Sequence, residues 1–99
     1  MKMAFLVHNA YFTPRVMQLL KETGIDYYTR WDQAQGKGHG TDPHLCTGSY
    51  SSTNAVLMIA FKDESVLEGL IGKIAAANKE IVRADDRIRL FQVPLERIV

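Results

Sequence analysis

Apolar residues run almost without interruption through two short stretches of the chain, and these stretches predict the centre of a β-sheet. They are Met3 to Asn9 (MAFLVHN) and Asn54 to Phe61 (NAVLMIAF), both too short for a buried helix. Two further stretches, Ile25 to Gln33 (IDYYTRWDQ) and Arg87 to Val93 (RIRLFQV), alternate apolar with polar residues. Since successive strand residues point to opposite faces, alternation predicts strands that are half exposed.

The first helix is predicted between the first two strands, over Phe12 to Gly24 (FTPRVMQLLKETG). Thr13 is a suitable N-cap, because its hydroxyl is able to accept a free backbone N–H of the first turn. Pro14 suits the first helical position, where its missing N–H is not needed. Gly24 suits the left-handed residue that follows a helix end.

The second helix is predicted over Lys62 to Glu80, with Asp63 or Ser65 as its N-cap. Its apolar residues have the spacing of one helix face: Val66, Leu67, Leu70, Ile71 and Ile74. Glycine inside a helix costs about 1 kcal/mol relative to alanine. We therefore expect Gly69 and Gly72 to pack closely against another surface.

The resulting order, β-α-β-β-α-β, predicts an α+β protein of the ferredoxin-like class, formed by residues 1–99 as a single domain. An antiparallel four-stranded sheet should carry two helices on one face and a long loop between strands two and three. In this topology strands one and three lie in the middle of the sheet. The two continuously apolar stretches are those two strands, in agreement with the topology.

The face of the sheet that the helices leave open is also predicted to be apolar. Depending on the direction of the pleat, it carries Met3, Phe5 and Val7 or else Ala4 and Leu6 from strand one, and strand three contributes an equally apolar set. A patch of this size is uncommon on a soluble monomer. Another copy of the chain is the expected cover.

Composition excludes several classes of function. Apolar residues make up 46% of the 99 residues and charged residues 23%, which is typical of a globular domain. Lys and Arg number 12 against 11 Asp and Glu, so no basic excess points to nucleic acid or an anionic membrane. No stretch is long enough to span a bilayer, and no signal peptide is visible at the N-terminus. The single cysteine fits a reducing compartment, so we expect a cytoplasmic protein.

Most of the chemically capable side chains lie in one glycine-rich segment, Gly36 to Thr53 (GKGHGTDPHLCTGSYSST). An irregular connection of this length within a compact domain is usually functional or disordered. Glycine and serine allow many conformations, while lysine, histidine, aspartate, cysteine and tyrosine are able to bind a partner. We expect a pliable loop that becomes ordered on binding.

Two kinds of binding are open to this loop. Imidazole and thiolate suit zinc or copper, so His39, His44 and Cys46 are candidate metal ligands, with Asp42 beside them. Their spacing matches no recognised metal motif. Alternatively, the backbone N–H groups around Gly38 and Gly40 could hold an anion, with Lys37 as the counter-charge. His8, at the end of a buried strand, is interpreted as a structural histidine.

Two short motifs resemble the PII signalling proteins. GKGHG, at the exit of strand two, resembles the Lys-Gly-His that opens the T-loop of that family. FQVPLERIV, near the C-terminus, resembles the family's Phe-Val-x-Pro-Val-Glu and the tail that follows it. The element order extends the resemblance to the whole chain. It implies a cytoplasmic homotrimer that senses a small ligand and regulates a protein partner through the loop.

The chain also departs from the PII pattern. It has DQAQG, Asp32 to Gly36, where the family has Gly-Phe-Gly-Arg-Gln, and RADDR, Arg83 to Arg87, where the family has a glycine-rich phosphate loop. By position, the resemblance carries ligand binding over to Lys37, with Gly38, His39 and Gly40 beside it, and to Arg89. Asp85 and Asp86 stand where phosphates would lie, and carboxylates repel phosphates. We therefore expect a divergent PII-like protein without conventional ATP binding.

The nature of the ligand stays open between a nucleotide and a divalent metal. The second interpretation makes the chain a metal-binding or metal-tolerance protein, with the similarly built architecture of the trimeric CutA proteins. The sequence offers no convincing acid–base pair for an enzyme. Tyr50 invites comparison with the modified tyrosine of some PII T-loops, but the loop aligns too loosely to assign that role.

Overall fold

The computed structural model describes residues 1–37 and 53–99, which form four strands and two helices. Short 3-10 turns precede α1, at Ala10–Phe12, and β4, at Ala84–Asp86. The bounds of the main elements are β1 Lys2–Asn9, α1 Thr13–Glu22, β2 Thr29–Ala34, β3 Asn54–Phe61, α2 Glu64–Asn78 and β4 Arg89–Pro94. The predicted order β-α-β-β-α-β is confirmed.

The strands form one antiparallel sheet in the order β2-β3-β1-β4. The two continuously apolar strands, β1 and β3, therefore lie in the middle, as the sequence predicts. They pair along their full lengths, from Lys2 opposite Phe61 to Asn9 opposite Asn54. This is the ferredoxin-like α+β fold.

Both helices pack on one face of this sheet and share its hydrophobic core. Inward residues of α1 and α2 meet every second residue of the two central strands. The fully buried side chains that form the centre of this core are Leu6, Val16, Leu20, Leu57, Ile59, Phe61, Leu67 and Leu70. Removal of these side chains from water supplies the main stabilisation of the fold.

The helix ends follow the predicted chemistry with one exception. Pro14 lies in the first turn of α1, and Gly24 has a φ of 79°, the left-handed conformation that favours glycine. Asp63 caps α2 by accepting a 2.9 Å hydrogen bond from the Ser65 N–H. The predicted cap at Thr13 is wrong, because the preceding 3-10 turn brings the chain into α1 at Phe12 and leaves Thr13 as the first helical residue.

The edge strands differ from their predicted bounds. β2 begins at Thr29 and not at Ile25, because Ile25 packs into the core at the end of the turn after α1. Its backbone N–H donates a 2.9 Å hydrogen bond to the Leu20 carbonyl, which satisfies the helix end and not the sheet. β4 begins at Arg89 and ends at Pro94. Alternation alone did not show where pairing starts.

The expected close packing of Gly69 and Gly72 is also wrong within the described part of the chain. Both glycines lie on the exposed side of α2. A Cβ added at Gly69 would have Thr23 Cγ2 as its nearest contact, at 3.7 Å, and one at Gly72 would meet nothing within 4 Å.

Candidate functional site

One end of the sheet carries the two described residues that the sequence predicts as ligands, Lys37 and Arg89. β1 and β2 finish there, at Asn9 and Ala34, and β3 and β4 begin there, at Asn54 and Arg89. The segment between β2 and β3 also leaves and rejoins the sheet at this end. We call it the loop end, defined by these four residues.

The exit of β2 toward this segment is irregular. The pairing with β3 shifts between Trp31 and Ala34, which inserts a bulge into the edge strand. Gln33 takes up the extra residue with a φ of 59°, a left-handed conformation unusual for a residue with a side chain. Two residues after the strand, a Cβ added at Gly36 would lie 2.5 Å from Asn54 Nδ2, so glycine permits a close approach to β3.

Asn9 connects the end of β1 to the turn that precedes β4. Its Oδ1 accepts a 3.0 Å hydrogen bond from the Tyr11 N–H, and its Nδ2 donates to Asp86 Oδ1 at 3.4 Å. The neighbouring Ala10 N–H donates to the Thr53 carbonyl at 2.7 Å. These bonds hold three segments of the loop end together around one asparagine.

The segment before β4 is fixed by a second asparagine. Asn78, the last residue of α2, accepts from the Ile88 N–H and donates to the Ile88 carbonyl, both at 2.8 Å. Its amide thus imitates a strand partner and aligns the chain for entry into β4. The position of Arg89 follows directly from this clamp.

The two acidic residues of this segment, Asp85 and Asp86, both pair with Arg83. Arg83 Nη2 lies 3.0 Å from Asp85 Oδ2, and Arg83 Nε lies 3.8 Å from Asp86 Oδ2. The carboxylates are only 16% and 22% exposed, whereas the Arg83 side chain is 61% exposed. Their negative charge is therefore turned toward Arg83, and Arg87 and Arg89 add positive charge immediately beyond them.

The two described candidate ligands, Lys37 and Arg89, are exposed and lie at opposite edges of the sheet. Lys37 follows β2, Arg89 opens β4, and both central strands lie between them. With strands about 4.8 Å apart, three steps across the sheet separate these edges by roughly 14 Å. A single copy of the chain does not bring the two charges together on one small ligand.

The other predicted ligands lie outside the described residues. They are Gly38, His39, Gly40, His44 and Cys46, and the same holds for Asp42 and Tyr50. Metal binding by His39, His44 and Cys46 therefore stays a prediction. Within residues 1–37 and 53–99, no three His, Cys, Asp or Glu side chains are grouped as a metal site.

The structure decides which side chains the open face of the sheet carries. Odd positions of β1 and even positions of β3 point there, and cross-strand pairing aligns them with β2 and β4. The apolar members of this open face are Met3, Phe5, Val7, Trp31, Val56, Met58, Ala60, Phe91 and Val93. Trp31, Phe91 and Val93 are 49%, 54% and 44% exposed.

One row of paired residues crosses the open face in the order Trp31–Val56–Val7–Arg89. A tryptophan at one edge of the sheet is therefore level with an arginine at the other.

His8 is buried on the opposite, helix-facing side of β1, at 2% exposure. Its Nδ1 lies 2.8 Å from the Asn9 carbonyl, so Nδ1 carries the proton and donates. Nε2 is then a buried acceptor, and it has no hydrogen-bond partner among the described residues. Burial lowers the pKa of the imidazole, because the charged form loses its hydration. A structural role, as predicted from the sequence, accounts for the hydrogen bond of Nδ1 but not for the buried Nε2 atom.

No protein-family model matches the chain, and no curated protein does either. Solved structures do match. The protein CPII of Thiomonas intermedia, described as a nitrogen regulatory PII-like protein and bound to ADP, AMP and bicarbonate, aligns over 97% of this chain and 88% of its own with a TM-score of 0.69 at 13% identity. The fold is that of PII-like proteins.

Two more CPII structures extend the likeness. The complex with ADP, AMP and acetate has a TM-score of 0.64 at 14% identity, over 97% of this chain and 88% of that one. The apo form gives 0.62 at 13% identity, over 98% and 92%. The resemblance that two short motifs suggested thus agrees with the fold across nearly the whole chain.

Sequence reasoning missed several residues that build the PII-like loop end. Asn9 and Asn78 stand at the ends of a strand and a helix, where asparagine commonly bonds the backbone, and this signal was available. Arg83 is two and three residues from the carboxylates that it pairs with. The bulge at Gln33 had no sequence signal, because glutamine is not a residue that favours positive φ.

No helix among residues 1–37 and 53–99 has the length and apolar character needed to cross a bilayer.

Proposed function

We propose that this chain is a PII-like regulatory protein that assembles as a homotrimer through the open face of its sheet. In this proposal it binds a small anionic ligand at the loop end and regulates a protein partner through the segment from Gly36 to Thr53. Its role is regulation and not catalysis, and its compartment is the cytoplasm.

The apolar open face is the observation that carries the proposal. Nine apolar side chains cover all four strands on the side that the helices do not protect. Exposed apolar patches of this extent mark interaction surfaces. In a fold shared with PII-like proteins, a second and third copy of the same chain are the partners we propose.

Assembly also supplies what one copy lacks at the loop end. In a three-fold cyclic assembly each interface joins two different surface patches. We propose that these patches are the β2 edge of one copy and the β4 edge of the next. Lys37 of one copy would then approach Arg89 of its neighbour, although the two lie at opposite edges of a single sheet. Trp31, level with Arg89 in the same row, would add an aromatic face beside the two cations.

A nucleotide with one or two phosphates is the ligand that we propose. Two of the CPII structures are bound to ADP and AMP, one together with bicarbonate and the other with acetate, and a third is the apo form. Arg83 pairs with both Asp85 and Asp86, and Arg87 and Arg89 add positive charge beside them at the loop end. A triphosphate brings more negative charge against the two carboxylates, so ATP should bind more weakly than ADP or AMP.

Isothermal titration of the assembled protein with AMP, ADP and ATP, with and without bicarbonate, tests this proposal. We expect AMP or ADP to bind more tightly than ATP, and Arg89→Ala to weaken binding about tenfold or more, as loss of a charge-assisted contact does. Lys62→Ala, on the turn at the other end of the sheet, is the matched control and should bind like the wild type. Absence of binding by all three nucleotides, or binding of divalent metals alone, would contradict the nucleotide proposal.

A further inference from the structure

The buried histidine of β1 lies beside the irregular exit of β2, separated from it by one small residue. His8 pairs with Ala55 of β3, and β2 follows on the other side of Ala55. The bulge between Trp31 and Ala34 places Asp32 and Gln33 against this position. Because alanine has only a methyl group, the strand position between His8 and Asp32 contributes no large side chain on the helix-facing side.

Asp32 shares the helix-facing side with Arg30, and the two form an ion pair at the edge of the sheet. Arg30 Nε lies 3.1 Å from Asp32 Oδ1, and Arg30 Nη2 lies 3.4 Å from Asp32 Oδ2. Residues two apart on a strand point to the same face, and Arg30 is opposite the buried Leu57. The Asp32 side chain is 58% exposed, so the carboxylate retains freedom to turn.

These two residues are also the charged groups that act on His8. Arg30 lowers the pKa of the imidazole and Asp32 raises it, after the larger effect of burial. The other helix-facing neighbours on β1 and β3 are apolar, and so are the inward residues of the helices: Leu6, Val16, Leu19, Leu20, Ala55, Leu57, Leu67, Leu70, Ile74 and Ala77. Among residues 1–37 and 53–99, Asp32 is the carboxylate that favours a proton on His8.

We propose that His8 is a proton sensor for the exit of β2: on protonation, Asp32 turns from Arg30 toward the imidazolium and displaces the bulge at Gln33. The neutral ring has at Nε2 an acceptor without a partner among residues 1–37 and 53–99, and the protonated ring has a charged donor at the same atom. The change adds one proton and breaks no covalent bond. Asp32 exchanges one cationic partner for another, and Arg30 at the sheet edge is left to solvent.

The movement of Asp32 from Arg30 to His8 should change the backbone at the bulge. Asp32 is the residue immediately before Gln33, whose left-handed conformation places the following segment, Ala34 to Lys37. A left-handed conformation in a residue with a side chain is strained and persists only where its surroundings hold it. Movement of the Asp32 carboxylate alters one of those surroundings, so the backbone of Gln33 and Ala34 should respond to the proton on His8.

Nuclear magnetic resonance of the intact chain tests this device directly. His39 and His44 are first changed to Gln, which leaves His8 as the remaining histidine. The ring signals of His8 and the backbone amide signals of Gln33 and Ala34 are then followed as the pH is lowered. We expect the ring to titrate below its ordinary midpoint, and the two amides to shift with the same midpoint as the ring.

Two exposed positions on β2 make the test selective. Asp32→Asn should lower the His8 midpoint and remove the transition from the Gln33 amide, because the anion that responds is lost. Arg30→Gln should raise the His8 midpoint and retain the transition. A purely structural histidine would also change its midpoint through the lost charge, but its titration would give amide shifts confined to β1 and β3. Either that outcome, or a Gln33 amide that ignores the titration of His8, would overturn the proposal.

Discussion

The two faces of this sheet are built from the same strands and differ in what covers them. On the helix-facing side, Leu6, Leu57 and Phe61 are completely buried by α1 and α2. On the open face, the neighbouring residues are equally apolar, yet Phe91 and Trp31 remain about half exposed at 54% and 49%. One face is covered by the chain's own helices, and the other is left open in a single chain.

The largest effect should come from the covered face. Leu6→Ala removes a fully buried side chain whose surroundings cannot close completely, and we expect the free energy of unfolding to fall by about 2–5 kcal/mol. Urea denaturation at fixed protein concentration measures it. Phe5→Ala, the next residue along the same strand but on the open face, is the matched variant. If Leu6→Ala and Phe5→Ala lower the free energy of unfolding of the monomer by the same amount, the distinction between the two faces is wrong.

A charge on the open face should break assembly and leave the monomer folded. Met58 lies in the middle of that face, with Phe5 on one side and Thr29 on the other. Met58→Glu places a carboxylate where a second copy is proposed to pack, and burial of an unpaired charge costs several kcal/mol. We expect a monomer by sedimentation with unchanged far-ultraviolet circular dichroism, whereas Glu68→Gln on the exposed side of α2 should assemble normally. A Met58→Glu protein of unchanged mass would show that the face is not an interface.

The Asn78 clamp at the loop end should contribute more to the free energy of unfolding than an exposed ion pair does. Asn78→Ala leaves the Ile88 N–H and carbonyl without partners, and we expect a loss of about 1–3 kcal/mol in the free energy of unfolding. Arg15→Ala, which removes a 3.8 Å ion pair to Glu80 on an exposed helix surface, should cost less than about 1 kcal/mol. Equal losses in thermal or urea denaturation would contradict this ranking.

Acid should weaken the covered face through His8. The pKa of His8 is lowered in the folded chain from its ordinary value of 6.5, chiefly by burial, so the unfolded chain binds more protons just below that pH. Stability is therefore complete above pH 6.5 and falls as the pH drops from there toward the lowered value, below which this contribution is constant. His8→Gln should flatten the slope in this window when urea midpoints are measured at each pH. If stability depends on pH in the same way after the substitution, a group other than His8 causes that dependence.

The sequence predicts the central strands of the sheet better than the edge strands. β1 and β3 follow from continuous apolar runs, because both faces of these strands are apolar, and β3 agrees with its predicted bounds. β2 does not, because Ile25 packs against the helix end and pairing begins four residues later. Alternation predicts a half-exposed strand. It does not indicate where an edge strand first meets its neighbour, which tertiary contacts decide.

The candidate site was predicted in part, for a similar reason. Lys37 and Arg89 were singled out from short motifs, and both belong to the loop end. Their separation by two central strands is a property of the topology, and no local pattern carries it. Asn9 bonds the side chain of Asp86 and Asn78 bonds the backbone of Ile88. Their positions at element ends indicate that they bond nearby polar groups, but the partners are identified only by the fold.

Sedimentation equilibrium of the wild-type chain at micromolar concentration tests the central claim most directly. The claim is that the open face of the sheet is covered by further copies of the same chain. The account predicts a particle of three 11.2 kDa chains, stable on dilution through that range. A stable monomer of 11.2 kDa would contradict it. The apolar open face would then need another occupant, and the shared site between Lys37 and Arg89 would not form.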